Sequence, residues 1–190
     1  MTDRGPGPAL HPSARLTGPA VRLDPLGPEH FDDTWAWVND PESARLTGTT
    51  TVFTAGQVRA HLETVAAAGD RADWAIVDRS SGRYRGEIVL NDLDAANASM
   101  NVRIALAPGE PGRGIGTEAM ILVLDHAFTD LRLHRVALDV FDFNVRAQRS
   151  YRKAGFVVEG RCRQTVRTAD GWADSILMAV LADDPRPTLR

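Results

Sequence analysis

Pro108-Gly109-Glu110-Pro111-Gly112-Arg113-Gly114-Ile115-Gly116-Thr117-Glu118-Ala119 joins an apolar run of strand character, Val102 to Leu106, to one of helical character, Ile115 to Leu131. Glycines at alternate positions let a backbone approach something that a Cβ would hold off. A helix opening at this point turns its unpaired amides and the positive end of its dipole back into the loop. Strand, loop and helix start together make an anion site, most simply for phosphates. A glycine-rich turn without a ligand is the plain alternative, since such motifs are weak when taken alone.

Working outward, the segments before the loop read as a meander. Asp73 to Val77, Arg83 to Leu90 and Ser99 to Leu106 have strand character, with a hairpin-like Ser80-Ser81-Gly82 and a longer polar connection from Asn91 to Ala98. Upstream, Ala20 to Asp24 alternates as a first strand. Pro28 onward has helical spacing, with Phe31, Trp35 and Val38 on one face, until Asp40-Pro41 ends it. Glu42 to Leu46 forms a short helical turn, and Thr54 caps a helix running to about Ala68. Downstream come a strand (His134 to Phe141), a helix (Asn144 to Ala154) and two strands (Phe156 to Val166, Trp172 to Leu181) joined by a turn at Asp170-Gly171. This order predicts a single α/β (α+β) domain with a mixed sheet. Residues 1–17 are expected to be a disordered tail, 18–182 the domain and 183–190 a C-terminal tail.

Composition excludes several classes. The chain of 190 residues has a formal net charge of -3 with both signs dispersed, so neither nucleic acid nor a membrane surface is the expected partner. Cys162 is the single cysteine, which excludes an internal disulfide and a cysteine-rich zinc site. His126 and His134 have no partner at metal spacing, and no metal is expected. With neither a membrane span nor an apolar signal core, the inference is a reduced, cytoplasmic protein.

Two nucleotide folds compete for the loop. A dinucleotide fold wants its third glycine one place later, and wants more strand–helix crossovers than this chain offers. A Walker loop needs a Gly-Lys-Ser/Thr that is absent.

The residues resemble a family. Ile104-Ala105-Leu106, followed by Gly112-Arg113-Gly114-Ile115-Gly116-Thr117-Glu118-Ala119, is similar to the acyl-CoA signature of the GNAT superfamily of N-acyltransferases. Asn144-Val145-Arg146-Ala147, with Tyr151, Lys153, Gly155 and Phe156, resembles that superfamily's second signature. Leu16 to Leu26 and Trp37-Val38-Asn39-Asp40-Pro41-Glu42 look like the RimJ/RimL-like branch. The resemblance covers roughly residues 16 to 181. Pro111 departs from it, standing where the pattern has Gln or Arg and removing one backbone amide.

The resemblance implies a GNAT-type domain with a mostly antiparallel sheet, flanking helices and a splayed strand pair at the coenzyme site. It implies acetyl-CoA, or another acyl-CoA, as cosubstrate and direct transfer to a primary amine. Ile104, Ala105 and Leu106 would hold the pantetheine arm, Gly112, Arg113, Gly114, Ile115, Gly116 and Thr117 the pyrophosphate, and Asn144 the pantetheine amides. Tyr151 would return a proton to the leaving thiolate. Asp139 and Glu87 are the candidate bases, with Asp92 as a rival. How much a base matters depends on the acceptor. Deprotonation at pH 7 costs about 1 kcal/mol for an α-amino group and about 4.6 kcal/mol for a lysine-like amine.

The acceptor groove is expected between the early helices (Pro28 to Ala68) and the turn near Arg167 to Trp172, with Trp35, Trp74 and Trp172 as core or cleft walls. Partners are an acyl-CoA and an amine acceptor, with a homodimer allowed for. A coenzyme A-binding sensor module and a dinucleotide-binding oxidoreductase domain are the alternatives.

Overall fold

The computed structural model describes residues 14–109, 114–169 and 171–189. Its strands are β1 (Leu16–Thr17), β2 (Val21–Pro25), β3 (Ala72–Asp78), β4 (Tyr84–Asp94), β5 (Ser99–Leu106), β6 (Arg135–Phe141), β7 (Val157–Thr168) and β8 (Gly171–Leu181). They form one sheet in the order β1-β2-β3-β4-β5-β6-β8-β7, antiparallel everywhere except between β5 and β6. The helices are α1 (Phe31–Trp37), α2 (Pro41–Thr47), α3 (Ala55–Thr64), α4 (Ile115–Thr129) and α5 (Val145–Lys153). The α/β reading with a mixed, mostly antiparallel sheet is the observed architecture.

Local chemistry sets most of the helix ends. Asp40 accepts from Ser43 N at 2.8 Å and precedes Pro41, so the Asp-Pro pair that stops α1 also starts α2. Thr54 and Gln57 form a reciprocal capping box at α3. Asn144 caps α5, accepting from Ala147 N at 3.1 Å.

Two apolar clusters occupy opposite faces of the sheet. Alternation along β3 sends Trp74 and Ile76 to the larger cluster, which α4 covers, and Ala75 and Val77 to the smaller one under α3. Eight α4 residues are buried, among them Met120, Val123 and Leu124. Trp74 lies in this core as expected, whereas Trp35 and Trp172 are exposed.

Several boundaries differ from the sequence reading. Leu16 and Thr17, assigned to the tail, pair with Leu23 and Arg22 of β2. The segment after Leu181 is tied down: Arg186 donates to Ala182 O and stacks over Phe128, and Leu189 packs on the main core. β4 runs into the polar connection as far as Asp94, with a register irregularity after Asn91 where Asp92 takes φ 55°. Short hydrogen-bonding side chains tolerate such a conformation, which is why this stretch reads as a loop.

Gly86 marks the tightest approach between β4 and β5. Its φ is +141°, and a Cβ there would come within 2.2 Å of Ala105 O. Backbone cannot yield as a flexible side chain would. Gly86→Ala should therefore lower stability by about 3 kcal/mol, read as the midpoint of urea unfolding. An unshifted midpoint would contradict this close contact.

Candidate active site

β5 pairs with β4 along its whole length but with β6 only through Ser99, Met100 and Asn101. Beyond Asn101 and Ala137 the two parallel strands share no register, and they splay. Ala107 N donates to Arg85 O across the β4 side. By the alternation of an antiparallel ladder, the amides and carbonyls of Ile104 and Leu106 face the opening. An unpaired strand edge of this kind offers hydrogen bonds to an extended ligand.

The opening belongs to a cleft of about 830 Å³. Its walls include Ile104, Ala105, Leu106, Gly114, Ile115, Gly116, Thr117, Asn144, Tyr151, Asp139 and Glu87, and also Asp92. The structure thus brings every described candidate to one place. Gly112 and Arg113, with Pro111, lie outside the described residues.

At one end of the cleft, α4 begins on Gly114, whose φ of 76° is the left-handed conformation that glycine takes at least cost. Among the described residues no side chain caps this helix, and Glu118 N makes the first bond back to Gly114 O. The amides of Ile115, Gly116 and Thr117 therefore lie at an open N-terminus. A Cβ on Gly114 would meet no atom within 4 Å among the described residues, whereas one on Gly116 would come 3.3 Å from Leu106 Cδ1. Gly114 borders the cleft; Gly116 lets the helix lie close to β5. Thr117 Oγ1 and Ser150 Oγ, 2.7 Å apart, tie α4 to α5.

Sequence reasoning missed the basic wall. Arg146, Arg149 and Lys153 of α5 line the same cleft. Their spacing of three and then four residues places them on one helix face, a signal that was available.

The candidate titratable groups line the same cleft. The Tyr151 ring packs against Phe156, with centroids 6.0 Å apart. Its phenol is pushed up to about 12, first by burial and then by the negative charge of Asp139. Asp139 is exposed, with Ser175 Oγ at 3.4 Å. Glu87 Oε1 accepts from Thr34 Oγ1 at 2.6 Å and from the Tyr84 hydroxyl at 2.7 Å. Burial holds its carboxyl above the usual glutamate range, against the pull of those two hydrogen bonds. Asp92 Oδ2 accepts from the side-chain amides of Asn91 and Asn101.

Residues of all three early helices line the cleft, among them Thr34 on Glu87 and also Trp37, Ser43, Gln57 and His61, with the Arg71–Asp73 pair in the same wall. The expected contribution of the early helices is therefore present. The turn from Arg167 to Trp172 is not part of this cleft among the described residues, and Trp37 supplies the indole in its wall.

A family model described as an acetyltransferase (GNAT) domain matches residues 20–157. A Bacillus subtilis protein named as a probable N-acetyltransferase, YjcK, is 42% identical over 73 residues, 38% of this chain and 40% of the relative. The spermidine N(1)-acetyltransferase of Escherichia coli K12 is 32% identical over 91 residues, 48% of this chain and 49% of the relative. The chain thus spans about half the length, or less, of these curated relatives. Among solved structures, the spermidine N-acetyltransferase of Vibrio cholerae, in complex with CoA and spermine, superposes with a TM-score of 0.80. That match covers 87% of this chain and 97% of the other at 19% identity, a likeness of fold. Because the domain match takes in well over half of the residues, including the splayed strands and both ends of the cleft, the chain belongs to the GNAT acetyltransferase family.

Proposed function

We propose that this protein is an acyl-CoA-dependent N-acetyltransferase of the RimJ/RimL-like branch, acting in the cytoplasm on a primary amine. One observation carries the reading: an open strand edge, a helix N-terminus with a basic wall, a high-pKa phenol and a half-buried carboxylate line a single cleft. The edge at Ile104 and Leu106 suits the amide-bearing pantetheine arm. The α4 amides with Arg146, Arg149 and Lys153 suit the phosphates. The relatives named as spermidine acetyltransferases support an amine acceptor.

The residues suit direct transfer. Glu87 takes a proton from the acceptor ammonium, and the neutral nitrogen attacks the thioester carbonyl carbon. An outward amide of β5 steadies the oxygen as it gains charge. Collapse breaks the carbon–sulfur bond, Tyr151 gives its proton to the departing thiolate, and the attacking nitrogen, now bonded to carbon, loses its second proton to solvent, from which the phenolate is reprotonated. Glu87 is preferred to Asp139 as base because it is anchored at the acceptor end. Asp139 instead keeps the phenol protonated. Metal ions have no part in this scheme.

Thiol release from acetyl-CoA and longer acyl-CoAs, measured against spermidine, n-butylamine and peptides with free N-termini, tests the reading. Turnover with at least one amine is the expected result. Coenzyme A binding without turnover would make the protein a sensor module, and thermal protection by nicotinamide cofactors alone would make it a dinucleotide-binding domain. Replacing both Arg146 and Arg149 by Ala should raise KM for acetyl-CoA about tenfold with kcat nearly unchanged, and the difference should shrink as salt rises. An unchanged KM at low salt would remove α5 from the phosphate site.

A further inference from the structure

The hydrogen-bond donors around Glu87 form an ordered chain. An indole N–H can only donate, and Trp37 gives its hydrogen to the Tyr84 phenol oxygen at 2.9 Å. The phenol's single proton is then directed to Glu87 Oε1. Thr34 Oγ1 donates to the same oxygen. With two donors on Oε1, Oε2 is the oxygen that takes up and releases a proton.

A strand irregularity makes this arrangement possible. Residues three apart on a regular strand point to opposite faces, so Tyr84 and Glu87 should not meet. The β3–β4 register shifts between Ile76 and Val77, so that Tyr84 stands opposite Val77 and Glu87 opposite Ala75. Val77 and Ala75 share a face, and Tyr84 and Glu87 therefore do too. From the other side α1 presents Thr34 and Trp37, one turn apart. Two separate elements thus converge on one carboxylate oxygen.

We propose that Thr34 and Tyr84 are positioning residues that set the acidity of Glu87 and hold Oε2 toward the cleft, with Trp37 orienting the Tyr84 proton. The proposal rests on the reading of Glu87 as the base. Donors on Oε1 stabilise the carboxylate and so oppose the effect of burial. Other charged groups face Glu87 as well. His61 of α3 favours the ionised form, and Asp73 of β3 disfavours it while held by Arg71. Across β5, Ala105 lies opposite Glu87, with Arg103 two residues along the strand. The hydrogen bonds to Oε1 come only from Thr34 and Tyr84 among the described residues.

The experiment titrates Glu87 directly in the full-length protein without ligand. Its infrared carboxyl band is identified by its loss in Glu87→Gln. Thr34→Val and Tyr84→Phe should each raise the midpoint of that band by about one pH unit, a tenfold loss of acidity. Trp37→Phe should shift it less, in the same direction, and Thr34→Ser should restore it. Thermal melting of each variant confirms that it is folded, and Thr34→Ala, which also lacks the hydroxyl, replaces Thr34→Val if that variant does not fold.

The acid limb of kcat/KM, measured with acetyl-CoA and spermidine, n-butylamine or a free-amino peptide, should move with the infrared midpoint. Midpoints that stay at the wild-type value in folded Thr34→Val and Tyr84→Phe would overturn the positioning role and leave the proposed function standing. Midpoints that move in a protein that transfers acetyl to no amine would instead overturn the enzyme reading, and the positioning role with it.

Discussion

Glu87→Gln should lower kcat/KM for acetyl transfer by about 10³ and abolish the acid limb of its pH profile. The substitution keeps an acceptor oxygen for Thr34 and Tyr84 and changes only the group at the Oε2 position, so the loss reports proton uptake rather than collapse of the wall. The wild-type acid limb should lie above the usual glutamate value of about 4.3, because burial raises this carboxyl. A stability effect of known sign accompanies it. A carboxyl raised on folding contributes stability in full below its unfolded pKa, and that contribution is lost as pH rises through the folded value. Glu87→Gln should therefore be more stable than wild type at neutral pH while nearly inactive. Activity within threefold of wild type, or lower stability at neutral pH, would remove Glu87 as the base.

Tyr151→Phe should lower kcat by about 10² and leave the affinity for acetyl-CoA almost unchanged. With a pKa near 12, the phenol remains protonated across the working range and can donate to a thiolate. Phenylalanine keeps the packing on Phe156 and loses only the proton donor. The measurement is single-turnover thiol release, since a slow product-release step would conceal a change in chemistry. Unchanged single-turnover rates would assign Tyr151 to packing alone. Asp139→Asn should act more mildly, through the phenol it faces, because its charge helps to keep that proton in place.

Much of the site could be read from the chain. The glycine spacing placed the start of α4, and the Asn144-to-Tyr151 interval placed a cap and a phenol on one helix. These signals act within a few residues, through φ preference, capping and helical period. Misplaced boundaries had local causes too. Asn91 to Asp94 has the composition of a loop, yet it continues β4 through an irregularity supported by side-chain amide bonds to Asp92. The short β1 carries too little pattern to register, and its pairing with β2 is what orders it.

The choice among Asp139, Glu87 and Asp92 was of a different kind. All three are carboxylates on or near strands, and nothing within a few residues of any of them separates the roles. The separation arises when α1 brings Thr34 to Glu87 across 53 positions of sequence, and when a register shift turns Tyr84 to the same face. The basic face of α5 shows the intermediate case. Its spacing was visible, but only the fold shows that this face lines the same cleft as the start of α4. By itself the sequence determined the glycine-opened helix, the caps and the family of the fold, because those depend on near neighbours along the chain. The tertiary structure alone decided which carboxylate is enclosed by donors, which of its oxygens they occupy and which helices line the cleft beside it, because burial and hydrogen bonding depend on what distant segments bring together.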